Sequence, residues 1–231
     1  MKLVTTAAAA LLISGTATAG EWSGSVEAGY LASQGNSKSS SANAAFSASY
    51  NHESWTHSVK ASAKTSSSSD VTTGERYTAA LKTALSTSEF DYLFGAINFD
   101  KDRFGGFDQR LSESAGYGRQ ILKSEQQNLT AEIGVGARQT ESTTGVDVSE
   151  TIGRGNLAYS YAFLAGAKFS QTLLVESGEE STFAESVTSV AMPLVQNVSL
   201  NLAYTVKHNS VVAAGTKHSD SYTAINVGYT F

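Results

Sequence analysis

Residues 225–231 read INVGYTF, and that stretch decides the fold. Ile225, Val227, Tyr229 and Phe231 alternate with Asn226, Gly228 and Thr230. An extended segment with this pattern has one apolar face and one polar or small face. A chain end in water ordinarily frays into polar residues. A strand that finishes on Phe needs somewhere apolar to put the ring.

Working back from there, the same alternation recurs. Trp22, Gly24, Val26, Ala28, Tyr30 and Ala32 form one row, and Ala42, Ala44, Phe46, Ala48 and Tyr50 the next. Later rows are Leu129–Ala137, Leu157–Phe163 and Val198–Val206, each taken at every second residue. The pattern predicts about twelve strands. They fall near residues 22–33, 40–51, 54–66, 75–87, 91–103, 109–122, 126–139, 150–163, 167–177, 182–193, 197–208 and 220–231. Globular strands average about five or six residues, whereas a tilted membrane-spanning strand needs about 9–11. Short connections (51–53, 88–90, 123–125, 164–166, 194–196) alternate with longer polar ones (33–39, 67–74, 140–149, 209–219). Short turns on one side and longer loops on the other belong to outer-membrane barrels. The expected fold is therefore all-β: an antiparallel transmembrane β-barrel over residues 20–231.

A barrel explains the ending. Its last strand pairs with its first, so no edge stays open. Lipid takes the apolar face, and aromatic rings favour the interface. Ile225, Val227, Tyr229 and Phe231 are expected to serve also as the signal read by the outer-membrane assembly machinery. A soluble barrel with the apolar rows inside is the competing arrangement. It would have to fill a wide interior with small Ala and Ser.

Composition agrees. Residues 1–19 carry one cation, Lys2, then an apolar run and Ala17-Thr18-Ala19, as in a signal peptide cleaved after Ala19. Pro occurs once and Cys not at all, so neither a disulfide framework nor a thiol metal site is expected. A formal net charge of −5 argues against a nucleic-acid partner.

With the apolar rows in lipid, the opposite parity faces the lumen. It carries Lys60, Lys64, Arg76, Lys82, Asp100, Asp102, Arg110, Glu132, Arg138 and Arg154, together with Glu27, Lys168, Glu176 and Lys207. Cations predominate, and unpaired cations lining a wet lumen favour anions. The alternative is a network of internal ion pairs that plugs the barrel. Lys60, Lys64, Arg76, Lys82, Arg110 and Arg138 would set the lumen potential in an open channel.

FDKDRFGGFDQR, residues 99–110, raises a calcium question. Counting from Asp100 gives acid at position three and Gly at six, but Phe104 and Leu111 stand where an EF-hand needs ligands. No metal or other cofactor is expected. A strand end, a Gly105-Gly106 turn and a strand start fit better, with Asp100, Asp102 and Arg110 paired inside the wall. His52, His57, His208 and His218 offer no Ser partner by spacing, so no enzyme is expected. Asn128-Leu129-Thr130 and Asn197-Val198-Ser199 match a glycosylation pattern by chance.

Three segments carry a family likeness. They are GYLASQGNSKS (29–39), DYLFGAINFDKDRFGGFDQRLSESAGYGRQIL (91–122) and VKHNSVVAAGTKHSDSYTAINVGYTF (206–231). Together they resemble an uncharacterised group known as salt-induced outer-membrane proteins. The central motif carries the likeness best: an acidic strand end, Phe-Gly, Asp-x-Arg and Gly-Tyr-Gly. Residues 211–214 depart from it, since a Pro is expected in that loop. The resemblance implies an outer-membrane β-barrel of a Gram-negative bacterium expressed under salt or osmotic stress. It implies no substrate, cofactor or catalytic residue. The sequence thus points to a narrow diffusion channel for small, anionic solutes, or to a closed barrel with a structural or surface role.

Overall fold

The computed structural model describes residues 20–33, 39–104, 107–141, 147–212, 215 and 217–231. The leader and its cleavage site, the Gly35-Asn36 pair, the Gly105-Gly106 turn and residues 213–214 lie outside them.

The twelve strands are β1 (Glu21–Ser33), β2 (Ser39–His52), β3 (Trp55–Ser68), β4 (Val71–Ser86), β5 (Asp91–Asp102), β6 (Gln109–Lys123), β7 (Gln127–Glu141), β8 (Asp147–Ala162), β9 (Lys168–Gly178), β10 (Thr182–Val195), β11 (Val198–Asn209) and β12 (Ser219–Thr230). Each pairs antiparallel with its sequence neighbours, and β1 pairs with β12 to close the barrel. An even strand number leaves both chain ends on one rim, here called the turn end. The opposite rim is the loop end.

One connection differs from its expectation. Residues 67–74 were expected as a loop, yet β3 and β4 run on through them to the two-residue turn Ser69-Asp70. Both turn residues have positive φ (50° and 63°), the backbone of a type I′ hairpin, whose twist matches the flanking strands. A run of Ser and Thr looks like loop composition, but it also suits a strand that rises out of the lipid into water.

The faces divide as the alternation requires. Ile133 and Val135 are 69% and 68% exposed, and Leu81, Leu93, Ile225 and Val227 also stand outward. The buried side chains are mostly polar or charged, among them Arg138, Glu132, Glu176 and Lys207. Such an arrangement reverses a soluble core. It needs a hydrocarbon solvent outside, because the exposed apolar band would otherwise be left in water.

At the turn end the band finishes in stacked rings. Trp22 packs on Tyr50 (4.8 Å between centroids), and His57 lies between Tyr50 (6.5 Å) and Trp55 (6.0 Å). Farther round, Tyr161 meets Phe163 edge-on at 4.8 Å. Amphipathic rings at this level suit the headgroup boundary. His57 therefore has an interfacial place, as its position on an apolar row implies.

Phe231 closes the wall. Its backbone exchanges two 3.0 Å hydrogen bonds with Gly24, beyond the ladder that pairs Ser25–Ala28 with Val227–Thr230. A Cβ at position 24 would lie 2.5 Å from the Phe231 ring, so the glycine makes room for it. Behind this seam, inside the barrel, Asn226 donates to Glu27 (3.0 Å) and bonds Asn43.

Candidate lumen site

Side chains cross the barrel interior at two levels. The first is near the loop end. Arg76 in the loop-end half of β4 donates Nε to Asp100 Oδ1 at 2.8 Å, and its Nη1 lies 3.1 Å from Asp102. Lys207 near the end of β11 reaches Asp100 at 3.4 Å and Glu185 at 2.8 Å. Strands β5 and β11 are not neighbours in the sheet, so the Lys207–Asp100 pair spans the lumen. Arg138 of β7 binds Glu150 of β8 at 2.7 Å and Glu176 of β9 at 3.7 Å, and donates to the Ser181 carbonyl at 2.7 Å. Ser112 donates to Glu176 at 2.9 Å from the other side. Arg110 lies between the rings of Phe107 (4.0 Å) and Phe183 (4.3 Å) and donates to Asn209 at 2.8 Å. Lys64 stands 3.5 Å over the ring of Tyr222.

The second level is halfway down. Glu132 of β7 accepts from Lys82 of β4, from Arg154 of β8 (2.8 Å) and from the Tyr92 hydroxyl of β5 (2.7 Å). The Phe94 ring lies under both cations, at 5.2 Å from Lys82 and 4.9 Å from Arg154. Gly118 makes this possible, since a Cβ there would sit 2.2 Å from the Tyr92 ring. Gly118→Ala is expected to push Tyr92 off Glu132 and to destabilise the barrel by about 1–3 kcal/mol through overpacking. Urea titration of the barrel folded into vesicles measures this. An unshifted midpoint would mean that the ring has another place to go.

A cavity of about 730 Å³ joins the two levels, lined by Lys60, Lys82, Asp100, Arg110, Glu132 and Arg154 among others. Lys60 is exposed inside it and pairs with no carboxylate among the described residues. It lies opposite Ala80, diagonal to Lys82 on the same face. Charge is therefore distributed unevenly. Near the loop end carboxylates neutralise Arg76, Arg138 and Lys207. Halfway down, Lys82 and Arg154 share one carboxylate and Lys60 has none, which leaves an excess of positive charge.

All of the sequence-derived lumen charges lie on the inward parity, and most are in contact with one another. One pairing needs correction: Asp100 and Asp102 are held by Arg76 across the β4–β5 ladder, while Arg110 turns to Asn209. Glu150 and Glu185 escaped the sequence reading, as did Phe94, Ile152 and Phe183 on the inner face. Glu150 falls at a strand start that the reading placed too late. Strand β10 has apolar residues on both parities (Phe183, Val187; Val190, Met192), so it offers no clean alternation to assign Glu185.

The fold is that of an outer-membrane β-barrel. It is similar to the NanC porin, with a TM-score of 0.53 at 10% identity over 90% of this chain and 98% of that one. It is likewise similar to the KdgM porin, with a TM-score of 0.50 at 9% identity over 90% and 99%. In sequence, the chain is 32% identical over 209 residues to the uncharacterized protein YdiY of Escherichia coli (strain K12), which covers 90% of this chain and 82% of that one. Residues 26–231, the barrel from its first strand to its last residue, match the family described as "Protein of unknown function, DUF481", and the chain belongs to that family.

Proposed function

We propose that the protein is a narrow diffusion channel of the outer membrane for small solutes, with a preference for anions. The observation that carries this reading is the cavity between the two charge levels, with Lys60, which pairs with no carboxylate among the described residues, exposed in it. A cavity wall with excess positive charge draws in anions and repels cations. The loop-end ion pairs form the constriction, and the mid-lumen cations set the selectivity.

Single-channel recording from the purified barrel in a planar bilayer, under a salt gradient, tests this. Discrete conductance steps with a reversal potential on the anion side are expected. Lys60→Glu should move the reversal potential toward cations without changing the fold, because Lys60 has no ion pair to lose among the described residues. A wild-type barrel that is folded but silent would sink the channel reading.

One observation favours a second reading, a closed barrel with a structural or surface role. Arg138, Glu176 and Lys207 are almost wholly buried across the loop end. A permanently closed belt would give that silent bilayer.

Three further points belong to the proposal. Residues 1–19 act as a leader cleaved after Ala19. Ile225, Val227, Tyr229 and Phe231 are read by the assembly machinery while the barrel inserts. A link to salt or osmotic stress rests on the family resemblance, and growth of a deletion strain in high salt tests it.

A further inference from the structure

The turn-end rim has two chemically different sectors. Three of its turns carry a glutamate: Glu53 between β2 and β3, Glu89 between β4 and β5, and Glu125 between β6 and β7. Phe90 is the one large apolar side chain in these turns (residues 53–54, 87–90 and 124–126), and it shares its turn with Glu89. The β8–β9 turn is Phe163-Leu164-Ala165-Gly166-Ala167, in which no side chain can hydrogen-bond. Strand β10 ends on Met192-Pro193-Leu194-Val195. No charged residue occurs between Arg154 and Lys168, or between Glu185 and Lys207.

These two apolar segments touch. Strand β10 runs past the start of β9, since Ala191 pairs with Lys168 and Pro193 lies beyond it. A Cβ on Gly166 would sit 3.3 Å from the Pro193 ring. The β8–β9 turn is closed by its own backbone. Phe163 donates its N–H to the Ala167 carbonyl at 2.8 Å, and Gly166 donates to the Phe163 carbonyl at 2.9 Å. Gly166 takes the left-handed backbone (φ 82°) that the bend needs. Leu164 is thereby held 97% exposed, and Leu194 and Val195 are 56% and 67% exposed. Turns in water favour Gly, Asn, Asp and Ser. Neither turn chemistry nor packing within the barrel calls for leucine at position 164, and an exposed apolar patch of this kind marks a contact surface.

Continuity with the lipid-facing band says what covers it. On β8 the outward row Leu157, Tyr159, Tyr161 and Phe163 leads into Leu164. On β10, Val190 pairs with Phe169 and Leu202 on that same outer face, and Met192 continues the row toward Leu194. The order of the rings is also informative. Past Trp22, Tyr50 and Trp55 the chain turns polar, at Asn51 and Glu53. On β8 the tyrosines come first, and the all-hydrocarbon Phe163 and Leu164 follow. Tyr and Trp favour the headgroup level because each has a polar atom to place there. Side chains without one, set beyond the tyrosines, need hydrocarbon around them.

We propose that this corner of the rim, the β8–β9 turn with the end of β10, is a lipid-insertion surface. It sinks among the acyl chains of the turn-side leaflet, while the three glutamate-bearing turns stand in water. The inference holds whether or not the lumen conducts.

The absence of Cys from the chain makes the test direct. Leu164→Cys, Val195→Cys and, as the water-side reference, Glu125→Cys each carry one fluorescent label on the barrel folded into phospholipid vesicles. All three positions are exposed, so the label displaces no packed side chain. Quenching is read with acyl-chain nitroxide lipids and, separately, with aqueous iodide. The labels at 164 and 195 should be quenched several-fold more by the lipid probe, and several-fold less by iodide, than the label at 125. Equal iodide access at 164 and 125 would overturn the proposal. So would labels at 164 and 195 shielded from both quenchers, which would mean that a second copy of the chain covers the corner. Adding Leu164→Glu to the Val195→Cys barrel should return that label toward water. Unchanged lipid quenching there would also overturn the proposal, because the corner would then be submerged without help from its apolar tip.

Discussion

Arg138→Met is expected to cost the barrel about 3–5 kcal/mol, the range for removing one partner of a buried ion pair. Arg138 is 1% exposed, and the side chains of Glu150 and Glu176 are 4% and 2% exposed. Removing the guanidinium leaves two carboxylates facing each other with little water, and also strands the Ser181 carbonyl that Arg138 serves. Against a usual stability of about 5–15 kcal/mol, that is a large fraction. Urea titration of the barrel in lipid vesicles reads it directly, with Trp22 and Trp55 of the turn-end girdle as fluorescent reporters. Arg138→Lys should fall between, because a single ammonium cannot reproduce the forked contacts to both acids and to Ser181. Adding Glu150→Gln and Glu176→Gln to Arg138→Met should restore most of the loss, since the penalty lies in the unpaired charges. If Arg138→Met unfolds at the wild-type midpoint, the two acids are hydrated in place. The loop end would then be a water-filled opening and not a constriction.

How far such a site is legible in sequence depends on the type of information it needs. Period two tells which residues share a face, and that fixed the inward parity of Lys60, Glu132 and Arg138 from the apolar rows beside them. Which charge meets which depends on register and on the distance across the lumen. Those are set by turn lengths and by strands far apart in the chain. Asp100 and Arg110 lie opposite each other on adjacent strands, so local reasoning paired them. Asp100 instead takes Arg76 from its other neighbour and Lys207 from across the barrel. The Ser69-Asp70 turn failed for a different reason. Ser and Thr suit both a loop and the wet end of a strand, and only the left-handed backbone of the two turn residues distinguishes them. The C-terminal strand was legible throughout because it is both regular and forced: its apolar face meets lipid and its edge meets β1.

Replacing Asp100 and Lys207 together by Ser is expected to raise single-channel conductance several-fold while leaving ion selectivity where it was. The pair spans from β5 to β11, so its removal widens the constriction rather than one wall of it. One anion and one cation leave together, so the net lumen charge is unchanged. Arg76 keeps Asp102 at 3.1 Å. Glu185, which loses Lys207, is 27% exposed and can hydrate. The fold should therefore tolerate this change better than loss of Arg138. Lys60, Lys82 and Arg154 are untouched, so the mid-lumen excess of positive charge, to which the proposed channel assigns selectivity, persists. A rise in conductance with an unmoved reversal potential separates the two roles, width at the loop end and charge halfway down. A rise accompanied by lost anion preference would place the selecting charge at Lys207 itself. If the double variant conducts where the wild type is silent, the belt is a plug and the native barrel is closed. If both conduct alike, the belt does not narrow the path, and the ion pairs serve only to hold opposite walls together.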